Sequence, residues 1–406
     1  MNLTVLKVSK DPVMGEIINE ELEQFSGQAA AVCYMKNKYF DGIANETDKA
    51  IKRFNRVVET GHHSIADHCF ITVLFEDIPK MTAMILNSLG LYNTSEKSGR
   101  YTIMESEGMS KEIYDKWVTI FKEEIYKYDS TLDEKLQEKL AMENARYVLD
   151  VFAPSTTMVY TTSLRMWSYI VNFCDRFLER EYKPKYEISS SYGFYNMLRK
   201  CIQNLKNAVV EGGIYSDKIV DNKGRKFDFL ANQVGYDIYD GAEEQWNVAY
   251  LIKYSCSFAC LAHLQRHRTI DYFMDYDGAI RSFYVPKIIR DNEELSNMWK
   301  EDLEKLTKVN ENYFSNATLV NVVETGTITN FLYKCDERLC GRVQLETFEN
   351  VYTNLLKFER QWHKSPFMCS ELEKHFKDGK VVMKCGNIKC KEPCHWGPVK
   401  AKDKLI

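Results

Sequence analysis

Two short segments concentrate the residues that could do chemistry. The run SEKSGRY, residues 95–101, places Glu96, Ser98 and Arg100 at two-residue spacing ahead of Tyr101. An arginine fork beside a serine hydroxyl suits a phosphate monoester, because the guanidinium supplies charge with paired donors and the hydroxyl adds a directed hydrogen bond. Taken alone, such a run is more often a solvated loop with a surface ion pair. The second segment sets Arg266, His267 and Arg268 side by side, two permanent cations around an imidazole, which can also grip phosphate oxygens. Upstream, ETGHHSIADH holds His62, His63, Ser64 and His68, but this spacing matches no standard zinc pattern; His63 and His68 read as helix caps or partners of Asp67. Near the end, Cys385, Cys390, Cys394 and His395, with Cys369 further upstream, offer thiolate and imidazole ligands. The spacing lacks paired C-x2-C knuckles, so reduced thiols in a packed tail are favoured and no metal is assigned.

These segments need elements to hold them. CFITVLFEDI, residues 69–78, is short and rich in β-formers, which predicts a strand; KMTAMILNSLG, residues 80–90, predicts a helix ending at Gly90, leaving SEKSGRY on a loop. Ile113, Trp117, Ile120, Phe121 and Ile125 recur at three- and four-residue spacing, which predicts a long helix with a core-facing stripe and Ser110 as its N-cap. Further helices are expected over residues 132–149 and 163–181. Between 207 and 245 the chain turns glycine-rich and mixed, reading as a linker or insertion. Beyond it, NVAYLIKYSCSFACLAHLQRHR repeats the strand-helix-motif order, and laying Arg266 on Ser88 brings Asn247 onto Cys69 without a gap. TITNFLYKCDERLCGRVQLETFENV matches the SLRMWSYIVNFC region when Thr329 is laid on Arg165. Order and spacing therefore predict a diverged internal duplication: a first repeat at 1–206 and a second at 246–406 with a cysteine-rich tail.

The first segment keeps the tail, and the second the head, of RHRxxSxNExSxRY. Through both, the chain resembles the flavin-dependent thymidylate synthases, over most of residues 1–206 and more thinly over 246–360. The resemblance implies an α+β fold of two diverged thymidylate-synthase-complementing-type repeats, each a sheet with a helical layer. It implies reductive methylation of dUMP to dTMP, with methylenetetrahydrofolate giving the carbon, FAD the hydride, and NADPH reducing the flavin, and with no attacking cysteine. Residue by residue it implies flavin contacts at Ser64, Arg165, Arg266, His267 and Arg268, and nucleotide contacts at Glu96, Ser98, Arg100, Arg146 and Arg338. Arg146 lies in ENARYVLD, similar to the family's AR-V-LP with Asp150 where proline is usual; Arg165 lies in SLR, where the family has NLR. The family carries a catalytic arginine nine positions beyond that segment. The first copy has Cys174 there, whereas Arg338 stands nine positions after Thr329, followed by Gln344 and Glu346 as the family's Q-x-E. Arg176 is no automatic substitute, since two residues turn a helix by about 200°. The second copy has Tyr276 and Gly278 in place of the motif serine and arginine, with Arg281 three residues late. One composite site is thus expected, using the second copy for flavin and Arg338 and the first for Ser98, Arg100 and Arg146, with a dead twin. The resemblance also implies a homodimer that imitates the family's tetramer. Two alternatives stay open: a related flavin and folate enzyme acting on another pyrimidine nucleotide or one-carbon group, and a noncatalytic nucleotide-binding scaffold.

Composition is that of an ordinary globular protein, 45% hydrophobic, 28% charged and 13% aromatic over 406 residues, enough for two cores. A formal net charge of -4 argues against a broad nucleic-acid surface, which needs a basic field to displace counterions. No apolar run approaches membrane-spanning length, and no export signal opens the chain, so a cytoplasmic protein with no membrane partner is expected. The 12 cysteines, dispersed through a long chain, read mostly as reduced core thiols.

Overall fold

The computed structural model describes residues 1–8, 19–34, 42–99, 102, 106–181, 189–221, 245–246, 249–275, 282–362, 372–384, 390 and 404–406. In chain order the elements are β1 (Asn2–Val8), α1 (Asn19–Ala31), α2 (Asp48–Glu59), β2 (Phe70–Pro79), α3 (Lys80–Leu86), β3 (Asn93–Glu96), α4 (Gly108–Tyr128), α5 (Glu134–Ala145), β4 (Pro154–Ser163), α6 (Leu164–Glu179) and α7 (Ser189–Glu211). There follow β5 (Gln245–Trp246), β6 (Ala249–Ser257), α8 (Phe258–Leu264), β7 (Asp271–Asp275), α9 (Lys287–Arg290), α10 (Glu293–Val309), β8 (Leu319–Thr327), α11 (Ile328–Arg338), α12 (Leu345–Trp362) and a small hairpin of β9 (Phe376–Lys377) with β10 (Lys380–Val381). The architecture is α+β. Two compact units interleave along the chain: Met1–Ser98, Phe152–Lys183 and Tyr195–Asp228 form the first, and Gly99–Val151, Pro184–Phe194 and Phe229–Ile406 the second. The grouping is not sequential, because residues 99–151 belong with the second unit, and α7 runs past position 207 to Glu211.

In the first unit an antiparallel sheet has the order β1-β2-β4-β3. Along β2, Ile71, Val73 and Phe75 are fully buried while the residues between them are more open, the two-residue period of a strand with one face on a core. That face meets α6, where Trp167 packs 6.2 Å from Phe75 and 5.5 Å from Tyr160, ring to ring. Leu164, Trp167, Ile170, Phe173, Cys174 and Phe177 form the buried stripe of α6. Each large apolar side chain removed from water stabilises the unit by about 1.5–3 kcal/mol. Ser163 starts the helix at its end of β4, its hydroxyl accepting from the Met166 N–H at 3.3 Å.

Several local expectations need correction. The α3 helix stops at Leu86, and Gly90 sits in the turn that follows, with φ of 101°, a backbone region that favours glycine. SEKSGRY does not lie wholly on a loop, because β3 pairs along β4 as far as Glu96 opposite Met158. The N-cap position of α4 falls at Glu107, and Ser110 instead shares a hydrogen bond of 3.0 Å with the Tyr313 hydroxyl. The helix expected through 149 ends at Ala145, and residues 146–148 make a single tight 3₁₀ turn.

The second unit holds an antiparallel sheet of order β5-β6-β8-β7, arranged like the first sheet. The α4 stripe predicted from its spacing is buried at Ile113, Trp117, Phe121 and Ile125. Trp117 crosses Trp299 of α10 edge to face at 4.8 Å, and its indole N–H donates to Asp302 at 2.8 Å, so its buried polar atom is satisfied. No helix among the described residues is long and apolar enough to cross a membrane.

Candidate active site

In the first unit, Ser64 is exposed on a 3₁₀ turn, His63–His68. Asp67 of that turn takes the Arg165 Nε at 2.9 Å and its terminal nitrogen at 2.5 Å, and also accepts from the Ser163 hydroxyl at 2.8 Å. This two-point ion pair fixes the plane of the guanidinium, which also lies 5.9 Å from the Tyr169 ring centre. His63 does not pair with Asp67: its Nδ1 meets the Tyr169 hydroxyl at 2.8 Å. Glu96, its side chain only 7% exposed, is held by the Lys80 ammonium at 2.6 Å. A carboxylate so far from water needs such a partner. Ser98 is half-buried just beyond β3, whereas Arg100 and Tyr101 lie outside the described residues.

The second unit brings more of the expected residues together. Arg146 begins the turn after α5 and donates to the side-chain oxygen of Gln344. The Gln344 amide donates in turn to the Tyr147 hydroxyl, which donates to Glu346 at 2.7 Å. Glu346 also accepts the Ser257 backbone N–H at 2.8 Å and its hydroxyl, while that hydroxyl accepts from Cys260 N and caps α8. Burial pushes the Glu346 carboxyl above its ordinary range, against the opposing pull of the Ser257 and Tyr147 hydrogen bonds and the Arg146 charge.

Arg266, His267 and Arg268 follow the end of α8, half-buried, buried and exposed in turn. Burial, then the nearby charges of Arg338 and Lys334, drives the His267 imidazole down to about 2, so it is neutral at physiological pH. Its Nε2 is buried with no hydrogen-bond partner among the described residues. Arg338 is the last residue of α11, half-buried. One turn before it stands a pair that the motifs did not flag: Lys334 and Glu324, both fully buried and in an ion pair. Glu324 also accepts the Tyr250 and Tyr254 hydroxyls, each at 2.6 Å, and the Lys334 ammonium lies 5.0 Å from the Phe331 ring centre. The visible signal was an acidic residue inside the apolar strand VVETG, with a lysine on the buried side of the next helix.

The buried thiols of the two sheet layers are not set up as nucleophiles. Burial pushes Cys69 up to about 12 and raises Cys174, Cys256, Cys260 and Cys335 as well, which keeps each protonated and inert. Among the described residues no cluster of histidine, cysteine and carboxylate side chains could hold a metal. Cys369, Cys385, Cys394 and His395 lie outside those residues, as do Tyr276, Gly278 and Arg281.

A model of the thymidylate synthase complementing proteins, Thy1, matches residues 18–188. That segment, under half of the chain, is similar to the Thy1 family. The Thy1 match contains the GHHSIADH turn, the SEKSGRY run, Arg146 and Arg165, and stops short of the second motif segment at Arg266. No curated protein matches the chain. Among solved structures, the Helicobacter pylori flavin-dependent thymidylate synthase ThyX, complexed with FAD and dUMP, aligns at 13% identity and a TM-score of 0.30, covering 52% of this chain and 93% of its own. A UMP/dUMP methylase, PolB from Streptomyces cacaoi, bound with 5-Br dUMP, aligns at 13% identity and a TM-score of 0.31, covering 53% of this chain and 91% of its own. Of these findings, the Thy1 match is the one that bears on the chemistry of this chain.

Proposed function

We propose that the chain is a flavin-dependent thymidylate synthase-like enzyme that reductively methylates dUMP to dTMP, with methylenetetrahydrofolate and NADPH as co-substrates. One observation carries the reading: in the second unit Arg146, from the first sequence copy, is hydrogen-bonded to Gln344 of the second copy, in the same unit as Arg266, His267, Arg268 and Arg338. This contact supports a reading in which each copy supplies residues that the other lacks. The duplication itself is supported by the sheets, because the alignment that lays Arg266 on Ser88 also lays β6, α8 and β7 on β2, α3 and β3. Laying Thr329 on Arg165 does the same for β8 with β4 and α11 with α6.

The residues fit an anionic dinucleotide cofactor. The unpartnered His267 Nε2 offers a polar atom to an aromatic ring system, and the adjoining arginines offer charge to its phosphates. Arg266, His267 and Arg268 would hold FAD, and the flavin when bound supplies the hydride; Ser64 and Arg165, in the first unit, are flavin positions that the resemblance implies. The chain's own work is binding and electrostatics. Ser98, Arg100 and Arg146 are the nucleotide contacts that the resemblance implies, together with Glu96, which is paired with Lys80. Arg338 stabilises negative charge developing on the pyrimidine, the kind of preorganised donor whose loss costs about 100-fold to 1,000-fold in rate. No cysteine attacks, in keeping with the buried, protonated thiols. In the twin arrangement the catalytic position is Cys174, fully buried in α6, and that site is abandoned.

The test is direct. Purified protein should be yellow, oxidise NADPH, and convert dUMP to dTMP, seen as the mass of one added methyl group. Arg266→Ala and Arg268→Ala should each lose flavin absorbance; folded variants that keep full flavin content would defeat the assignment of this segment.

A further inference from the structure

We propose that Gln344 and Tyr147 are positioning residues for Arg146, an inference that rests on Arg146 contacting the nucleotide. Arg146 lies on the 3₁₀ turn that ends α5, and a long side chain at such a place has many rotamers to lose before it can meet a ligand. The structure takes that freedom away. The oxygen of the Gln344 side chain accepts from one terminal nitrogen of Arg146, and the nitrogen of the same amide donates to Tyr147. One amide therefore uses both ends at once, so its orientation is forced: flipping it would set nitrogen against guanidinium. Tyr147 is anchored in turn, its hydroxyl donating to Glu346 and its ring lying 4.9 Å from that of Tyr284. Glu346 is tied to the backbone and hydroxyl of Ser257, the N-cap of α8. The guanidinium is thereby referenced to the start of the helix whose end carries Arg266, His267 and Arg268.

The relay also explains why a first-copy arginine works with second-copy residues. In the alignment that lays Thr329 on Arg165, the positions of Gln344 and Glu346 in the first copy are Arg180 and Tyr182. Neither can accept from a guanidinium as an amide oxygen or carboxylate does, so the first copy has lost its own support for Arg146.

The experiment measures dUMP affinity by calorimetry, with KM for dUMP, kcat, flavin content and the urea midpoint, on wild type, Arg146→Ala, Gln344→Ala, Gln344→Glu and Tyr147→Phe. Gln344→Ala should weaken dUMP about tenfold or more through KM, with flavin content kept. Gln344→Glu, whose carboxylate still accepts from Arg146 but cannot donate to Tyr147, should recover part of that loss, which a merely structural role would not produce. Tyr147→Phe should fall between. If Arg146→Ala weakens dUMP while folded Gln344→Ala and Tyr147→Phe bind like wild type, the positioning role is overturned and the nucleotide assignment stands. If Arg146→Ala itself binds dUMP normally, both fall. Should Gln344→Ala fail to fold, Gln344→Glu and Tyr147→Phe decide: dUMP binding that follows the urea midpoint alone overturns the proposal.

Discussion

At the scale of single residues, charge and burial divide the labour. Arg165 and Glu96 each have a fixed ionic partner, Asp67 and Lys80, and are oriented by it. His267 is different, neutral and buried beside Arg338 and Lys334. That state has a pH signature. An unfolded imidazole takes up a proton near pH 6.5, whereas the folded one resists until about pH 2. Between those values the unfolded chain binds more protons, so stability is full above pH 6.5 and falls as pH drops. Wild type should lose about 2 kcal/mol from this group between pH 7 and pH 5, and His267→Gln should lack that component. Urea titrations at the two pH values check it, and equal acid sensitivity in both proteins would show that the ring is not held neutral. The motif residues were legible because their types and spacing are local. Their partners were not: nothing in GHHSIADH says that Asp67 serves Arg165 and Ser163 in place of a histidine.

Among the elements, the second sheet is joined to its helix by an ion pair where the first uses packing. Glu324 on β8 and Lys334 on α11 are sealed from water, with two tyrosine hydroxyls on the carboxylate. In the aligned positions of β4 and α6 stand Tyr160 and Ile170, both buried. Removing one partner of such a pair strands the other charge and costs about 3–5 kcal/mol, although replacing both is far milder. Lys334→Met should therefore lower the unfolding free energy by about that amount, and adding Glu324→Gln should restore most of it. Chemical denaturation of the single and double variants measures this; a double variant no more stable than the single would rule out the stranded charge as the cause. The α4 stripe and the β2 alternation could be read directly, since both periodicities report a buried face. Helix ends were less legible. Ser110 looks like a cap, but its hydroxyl goes to Tyr313, a residue far along the chain.

For the whole molecule, the proposed division of labour fixes a stoichiometry. One FAD should bind per chain, with the chain a homodimer that stands in for the family's tetramer. Flavin absorbance against protein concentration, with mass from light scattering, tests both; two FAD per chain would contradict an abandoned twin, and none would favour a noncatalytic nucleotide-binding scaffold. Residues alone gave the strand at 69–78, the α4 stripe and the motif segments, because these depend on periodicity and on spacing within short segments; the resemblance those segments carry implied the α+β fold. Tertiary structure decided the rest. Residues 99–151 group with the second unit, and Arg146 meets Gln344, 198 residues away in the chain. A hydrogen bond is made or lost over fractions of an ångström, and which two side chains come that near is set by how helices and sheets pack. The halves of one motif were therefore visible in the chain, but the partner that steadies Arg146 was visible only in the fold.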